Sequence, residues 1–207
     1  MRPWPLLLLL LAGCGDTLWR TTLDGLVDAV APIVTPLEEL PEPEGRALRL
    51  WIGGRSTPAV LLQALGERRI WRTASGIVVA TEGGRVTATA GLRQMLAATR
   101  FEGPDPLAAP AALLDQPAEA RRLVDLMTAD REPEGMRFGV PLACRLRAER
   151  TADAEVLLVS ERCRTRGSLG FTNRFWVEAE GGRVLRAEQW VGPRVPMLVV
   201  EFLAPAG

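Results

Sequence analysis

Large apolar residues occupy every second position of the segment 138–146, and this period limits the folds that the chain can adopt. The apolar positions are Phe138, Val140, Leu142, Cys144 and Leu146. Because successive side chains of a strand point to opposite faces of its sheet, a period of two predicts a strand with one buried face. Leu157, Val159 and Cys163 continue this period, so the C-terminal part of the chain is predicted to form antiparallel strands.

Two Gly-Gly pairs each separate runs with strand character. Gly83-Gly84 divides 77–81 from 86–90, and Gly181-Gly182 divides 171–179 from 183–191. Adjacent glycines accept the positive φ of tight hairpin turns, so two hairpins are predicted. Both pairs lie in the pentapeptide Glu-Gly-Gly-Arg-Val, which indicates either a diverged internal duplication or a sequence that simply suits hairpins.

Three short helices are predicted between the strands. Thr57 and Pro58 suit the N-cap and first position of a helix over 58–65. Another begins at Gly91, and a third spans 118–129. The predicted fold class is mainly β, with antiparallel hairpins forming a sandwich or barrel-like domain and a few short α-helices.

The N-terminus contains six consecutive leucines followed by Ala12-Gly13-Cys14. With Arg2 before the leucines, this pattern predicts a signal peptide over residues 1–13. The cysteine at the first position after the cut resembles the lipobox of bacterial lipoproteins. That resemblance implies a diacylglyceryl group on the Cys14 sulfur and acylation of the new amine. The alternative is a plain signal peptide that ends near a cysteine.

The lipobox also predicts location and organisation. Several acyl chains on Cys14 hold a protein firmly on a membrane, so the predicted membrane contact is this anchor. Gly15 follows in place of aspartate, which by analogy with enterobacterial sorting predicts the periplasmic face of the outer membrane. Residues 14–45 are predicted to be a lipidated tether with a short helix and an acidic Pro-rich linker. Residues 46–207 are predicted to form a single β-rich domain, or alternatively to contain two related hairpin units, 46–106 and 136–203.

The amino-acid composition of the chain excludes several kinds of catalytic and metal-binding chemistry. Acidic and basic residues balance at 25 each, so no overall charge attracts nucleic acid, and no nucleic-acid partner is predicted. The chain has no histidine and no lysine, which removes His-based catalysis, His metal ligands and Schiff-base chemistry. We therefore assign no catalytic residue, metal or cofactor. An enzyme would depend on carboxylates such as Glu178, Glu180 and Glu188.

Cys144 and Cys163 remain after lipidation of Cys14. In an oxidising compartment, two such cysteines favour a disulfide. Pairing them across a hairpin places 150 opposite 157 and puts both cysteines on the apolar face. Separate buried thiols, or a redox or metal role, are the alternatives, although two thiols without histidine make a poor zinc site.

Arginines and tryptophans are the candidate glycan-binding residues. Arg145, Arg147, Arg162 and Arg164 share the face opposite the cysteines, and guanidinium groups suit the carboxylates or phosphates of an acidic polysaccharide. The alternative is an ordinary solvated face that includes Glu149 and Glu161. The flat rings of Trp51, Trp71, Trp176 and Trp190 suit sugar stacking or, alternatively, core packing. Trp176 and Trp190 complete the candidate set.

Several segments together resemble the YjbF/GfcB family of lipoproteins. The family pattern of Asn-x-aromatic-Trp, a Gly turn and Gln-Trp-x-Gly-Pro falls on 173–176, 181–182 and 189–193. Segments 71–73, 84–92 and 105–107 are also similar, whereas Phe175 stands where the family often has tyrosine. The resemblance implies an antiparallel β fold, a role in exopolysaccharide or group 4 capsule production, and partners among polysaccharide export proteins. It implies no defined catalytic mechanism.

The predicted function is that of a non-enzymatic lipoprotein that assists exopolysaccharide or capsule assembly or export. It would act by binding an acidic polysaccharide, partner proteins or both. The alternatives are a periplasmic carbohydrate-active enzyme that uses only carboxylates, and a structural lipoprotein that partners an outer-membrane barrel.

Overall fold

The structure is a computed structural model that describes residues 47–165 and 170–203. The lipobox with Cys14, the predicted helix near residues 22–30 and the acidic linker lie outside the described residues. The strands are β1 (Ala47–Ile52), β2 (Arg55–Leu65), β3 (Arg68–Thr73), β4 (Val78–Glu82), β5 (Arg85–Ala90), β6 (Gln94–Phe101), β7 (Ala118–Thr128), β8 (Arg137–Arg150), β9 (Val156–Arg164), β10 (Phe171–Glu178), β11 (Val184–Gln189) and β12 (Leu198–Phe202).

The helical elements are small. One helix, α1 (Ala112–Asp115), and two 3₁₀ turns, Pro106–Ala108 and Pro133–Gly135, accompany the strands of the described residues. Within this part of the chain, we find no helix with the length and apolar character needed to cross a membrane.

The twelve strands form one antiparallel sheet that is almost closed on itself. Apart from β5 and β6, strands that follow one another along the chain are hydrogen-bonded neighbours, and β1 also pairs with β12. Among the described strands, this ring of hydrogen-bonded neighbours is open only between β5 and β6. The predicted fold class, mainly β with a barrel-like domain, is confirmed.

Both Gly-Gly pairs lie in hairpin turns, as predicted. Gly83 and Gly84 join β4 directly to β5 with φ of +54° and +83°, the backbone of a type I′ turn. The loop around Gly181-Gly182 is longer, and it is closed by a hydrogen bond from Glu178 N to Arg183 O. The two turns meet, because a Cβ built on Gly84 would overlap the side chain of Val184. Position 84 therefore needs glycine for its backbone angle and for its close approach.

The three predicted helices are wrong. Residues 58–65 belong to strand β2, 118–128 form β7, and the segment from Gly91 is a turn followed by β6. The end of β2, from residue 62, is exposed on both faces, so no alternation is present to indicate a strand.

The inner face of the sheet supplies the core. Completely buried side chains alternate along the strands, including Leu48, Leu50, Leu146, Val159, Phe175, Val177, Leu198 and Val200. Burial of this apolar surface is the main source of stability, at roughly 25 cal/mol per Å². The outer face of β8 and β9 consequently carries most of the polar residues of these two strands, and a polar ligand could bind there.

Cys144 and Cys163 face each other across β8 and β9 and are joined by a disulfide. The register is the predicted one, with Arg150 opposite Leu157. Both cysteines are buried on the apolar face. The bridge therefore connects two neighbouring strands at the core rather than at the surface.

Candidate functional site

Arg145, Arg147, Arg162 and Arg164 are all exposed on the outer side of β8 and β9, as the alternation predicts. We call these four residues the outer arginine face. Arg145 lies directly opposite Arg162. No ion pair within residues 47–165 and 170–203 involves any of the four.

Like charges directly opposite each other in a sheet are unfavourable, and a bound anion would relieve this repulsion. Glu119 lies opposite Arg145 on the other side, in β7, and offsets part of the charge. The face still has more guanidinium groups than carboxylates. It is therefore suited to an anionic ligand with several negative charges.

Trp176 belongs to a second cluster on the same side of the sheet. It lies opposite Arg186, and Arg186 Cζ is 5.2 Å from the Trp176 ring centroid and 5.8 Å from that of Trp51. Arg186 Nη2 also donates to Glu188 at 2.9 Å. We call Trp51, Trp176 and Arg186 the indole–guanidinium cluster. The sequence prediction missed Arg186, because a two-residue Gly-Gly turn would pair it with Val177, and it is the register shift between Trp176 and Val177 that places it opposite Trp176.

A cleft of about 290 Å³ adjoins this cluster. Its walls are formed by Trp51, Gly53, Gly54, Arg186, Met197 and Val199. Gly53 and Gly54 form the turn between β1 and β2, so part of the wall has no side chains. An aromatic ring and a guanidinium group therefore border one concave surface.

Trp190 does not join the other candidates. It follows the end of β11, and its ring stacks on Phe171 with centroids 4.4 Å apart. Both residues pack against the core. For Trp190 the geometry therefore favours packing, which was the alternative to sugar stacking.

Glu161 was predicted to lie on the solvated face, and this prediction is wrong. It is completely buried, and it accepts hydrogen bonds from Arg85 Nη1 at 3.0 Å and from Arg122 Nη1 at 3.3 Å. Asp105 binds the other side of Arg85, at 2.6 Å from its Nε. We call these four residues the interior ionic cluster. The alternation places 161 with 159 and 163 on the inner face, and this was the signal that could have located it.

The pKa values in the interior ionic cluster depend on two opposing effects, which are burial of each group and the charges of its neighbours. Burial alone would raise the pKa of Glu161, but the charges of Arg85 and Arg122 and a hydrogen bond from Asn173 hold it below its ordinary value. Burial lowers the pKa of Arg122 to about 10, because Glu161 compensates only in part. Burial also acts to lower the pKa of Arg85, but Glu161 and Asp105 together raise it above its ordinary value.

Two aromatic rings complete the surroundings of these buried arginines. Arg85 Cζ lies 4.7 Å from the ring centroid of Phe175 and 5.2 Å from that of Phe101. Arg122 is 5.7 Å from the same Phe101 ring. The cations thus contact paired carboxylates and ring faces, which is an arrangement that stabilises buried charge.

The donor atoms beside this cluster do not suit a metal. Cys144, Cys163 and Glu161 lie close together, but the two sulfur atoms are bonded to each other. Zinc needs thiolate sulfur, which a disulfide does not provide. The residues therefore fit a structural bridge next to a buried ion pair.

Of the three carboxylates considered for catalysis, Glu178 and Glu180 lie beside the second Gly-Gly loop, whereas Glu188 lies near the far end of β11. Glu178 pairs with Arg183, and Glu188 lies beside Arg186. The hydrogen bond from Arg183 lowers the pKa of Glu178. A general acid at neutral pH needs a raised pKa, so this environment does not suit Glu178 to proton donation.

A larger cavity of about 500 Å³ opens where the two Gly-Gly turns meet. Trp71 and Phe202 line it, with Arg69, Arg183 and Glu67 as its charged residues. Trp71 is almost completely buried, and its Nε1 donates to Thr81 Oγ1 at 2.9 Å. Glu67 is the only acidic residue among the described lining residues, whereas glycoside cleavage normally requires two carboxylates.

These observations define a class of protein: a nearly closed antiparallel β domain with an ionic core and an outer face rich in arginine and tryptophan. The sequence model of one family, described as group 4 capsule polysaccharide lipoprotein gfcB, YjbF, matches residues 37–203. The chain belongs to this family of capsule polysaccharide lipoproteins.

A solved structure supports the fold. The hypothetical lipoprotein YmcC from Escherichia coli K12 is similar with a TM-score of 0.64 and 21% sequence identity. The similarity covers 89% of this chain and 97% of that one. No match was found among curated protein sequences.

Proposed function

We propose that this protein is an outer-membrane lipoprotein, facing the periplasm, that assists the assembly or export of capsule or exopolysaccharide. It binds the anionic glycan, a partner protein of the export machinery, or both. Its family supports the connection with capsule polysaccharide. The lipobox supports anchoring through Cys14, and Gly15 supports the outer membrane as its location.

The outer arginine face is the observation that carries the glycan part of this proposal. Its four guanidinium groups project from two paired strands that the core and the disulfide hold rigidly in register. Guanidinium groups bind carboxylates in a bidentate manner, and a row of them can contact successive acidic sugars of a polymer. The arrangement favours an extended anionic chain over a small neutral ligand.

Binding to polygalacturonate, with dextran as the neutral polymer, tests the glycan part. Arg145→Ala/Arg162→Ala should weaken binding of the full-length protein to polygalacturonate by about tenfold or more and reduce its salt dependence. Arg55→Ala/Arg93→Ala is the matched control, because it removes the same charge from exposed positions elsewhere. An equal loss in both double variants would indicate only general charge attraction and would contradict a specific face.

A pulldown from crosslinked cell envelopes tests the place of the protein in polysaccharide secretion. The lipidated protein is the bait, and recovered proteins and glycans are identified together. Recovery of an outer-membrane export protein or an acidic glycan is the expected result. Recovery of neither, with the bait present in the outer membrane, would refute this function.

A further inference from the structure

The indole–guanidinium cluster lies on the side of the sheet that the proposed function uses, but it has different chemistry from the outer arginine face. We propose that the cleft beside Arg186 binds a single uronic-acid unit, with the guanidinium holding the sugar carboxylate and the Trp51 indole bordering the sugar ring. This inference rests on the proposed glycan binding. It deepens that function by naming the sugar class that one site recognises.

Arg186 is held in position before any ligand arrives. It lies between the rings of Trp51 and Trp176, and Glu188 accepts a hydrogen bond from its Nη2. Its side chain nevertheless remains 40% exposed. A guanidinium that is fixed and also accessible binds with a smaller loss of side-chain entropy than a mobile arginine does.

The charged residues around the cleft have a net charge that one bound anion would neutralise. Arg49, Arg174 and Arg186 carry three positive charges, and the carboxylates paired with them are Glu188 and Glu201. The group thus has one excess positive charge, which a single carboxylate neutralises. A neutral sugar would gain only the contact with the Trp51 ring.

The size of the cleft also limits its ligand. At about 290 Å³ it lies at the lower end of small-molecule sites, which start at about 300 Å³. That space suits one monosaccharide unit, with the rest of the polymer continuing over the surface. Gly53 and Gly54 leave the wall open on the side of the β1–β2 turn.

The chain offers a matched control for Arg186. Arg174 and Arg186 both pair with Glu188, at 3.6 Å and 2.9 Å, and both are partly exposed. Of the two, it is Arg186 that contacts the indole rings and lines the cleft. Replacing either one removes the same charge next to the same carboxylate.

Titration calorimetry of the full-length protein with oligogalacturonate and with a neutral galactose oligomer tests the inference. Arg186→Met should weaken oligogalacturonate binding about tenfold and leave the neutral oligomer unchanged, whereas Arg174→Met should change either by less than about threefold. Arg186→Lys retains the charge without the planar fork and should recover only part of the affinity. Equal losses in Arg174→Met and Arg186→Met would overturn the site.

The double variant Arg145→Ala/Arg162→Ala separates this inference from the proposed function. If that variant weakens oligogalacturonate binding and Arg186→Met does not, the cleft is wrong and the outer arginine face stands. If neither variant weakens binding, the proposed glycan binding itself fails. Circular dichroism and thermal melting of each variant confirm that the fold is intact.

Discussion

Neutralising Glu161 should cost this protein a large part of its stability. The carboxylate is completely buried, and in Glu161→Gln it no longer neutralises Arg85 and Arg122. Asp105 still pairs with Arg85, but Arg122, which is about 5% exposed, is left as a buried cation without a carboxylate contact among the described residues. Removing one partner of a buried ion pair typically costs about 3–5 kcal/mol.

This loss is about a third of the 5–15 kcal/mol that stabilises a typical domain. For a chain of this size it corresponds to a fall in Tm of roughly 6–20 °C. Urea unfolding followed by tryptophan fluorescence measures the free energy directly. Glu149→Gln is the control, because Glu149 is exposed on β8 and its loss should change stability by less than about 0.5 kcal/mol.

A loss below about 1 kcal/mol in Glu161→Gln would refute the reasoning. A second variant sharpens the test, because Arg85→Met/Arg122→Met/Glu161→Leu removes the charges together. These three are the buried members of the interior ionic cluster, whereas the remaining Asp105 is 24% exposed and can be hydrated. Replacement of a buried ionic triad by apolar side chains is often neutral or stabilising. We therefore expect the triple variant to be more stable than Glu161→Gln, even though it changes more residues.

Acid should produce the same loss in the wild-type protein. The folded-state pKa of Glu161 lies below its ordinary value of 4.5, so the unfolded chain binds this proton first as the pH falls. The stability that Glu161 contributes is complete above the ordinary value and is lost as the pH falls through the folded-state pKa. Glu161→Gln should therefore show a smaller acid dependence of unfolding free energy than the wild type.

Three further predictions concern a glycine in a hairpin turn, the disulfide and the lipid anchor. Gly84→Ala should cost about 1–3 kcal/mol more than Gly54→Ala, since both glycines have φ near +80° but an added methyl overlaps a neighbour at 84 alone; equal urea midpoints would contradict this. Reducing the Cys144–Cys163 bridge, which spans 19 residues, should lower unfolding free energy by about 3 kcal/mol. Cys14→Ser should move the protein out of the membrane fraction, and mass spectrometry of the N-terminal peptide should show the loss of acyl groups.

Sequence reasoning predicted the strands whose inner faces are apolar. β9 and the part of β8 from Leu142 to Ala148 alternate cleanly, and this alternation also oriented the outer arginines and the cysteine pair correctly. Phe138 is an exception, because it was predicted on the buried face and is 67% exposed. Such strands are predictable because a single period describes which side chains are buried. The Gly-Gly turns added the hairpin connections.

The strand β7 was predicted as a helix for a physical reason. Arg122 points inward to Glu161, whereas Leu123 and Met127 are only half-buried, so the apolar residues do not follow a period of two. A register shift after Val124 then buries Asp125 and Leu126 in succession. Because some of the inward-facing residues of β7 are charged, a pattern based on apolar residues alone does not identify this strand.

The candidate site was only partly accessible from sequence. The outer arginine face follows from alternation within one hairpin, so it could be predicted. The indole–guanidinium cluster combines β1 with β10 and β11, strands that β12 brings side by side. Without knowledge of the sheet order, no local pattern connects Trp51 to Arg186.

The pairing of β1 with β12 also determines when the sheet can be completed. Leu48 lies opposite Phe202, and Leu203 N donates to Ala47 O at 3.0 Å, so the paired residues are on the order of 150 positions apart. Until β12 has been synthesised and has reached the sheet, the edge of β1 opposite β2 remains unpaired. Among the described strands, β1 therefore completes its pairing only when β12 is present, and the sheet cannot be completed before residues 198–202 are in place.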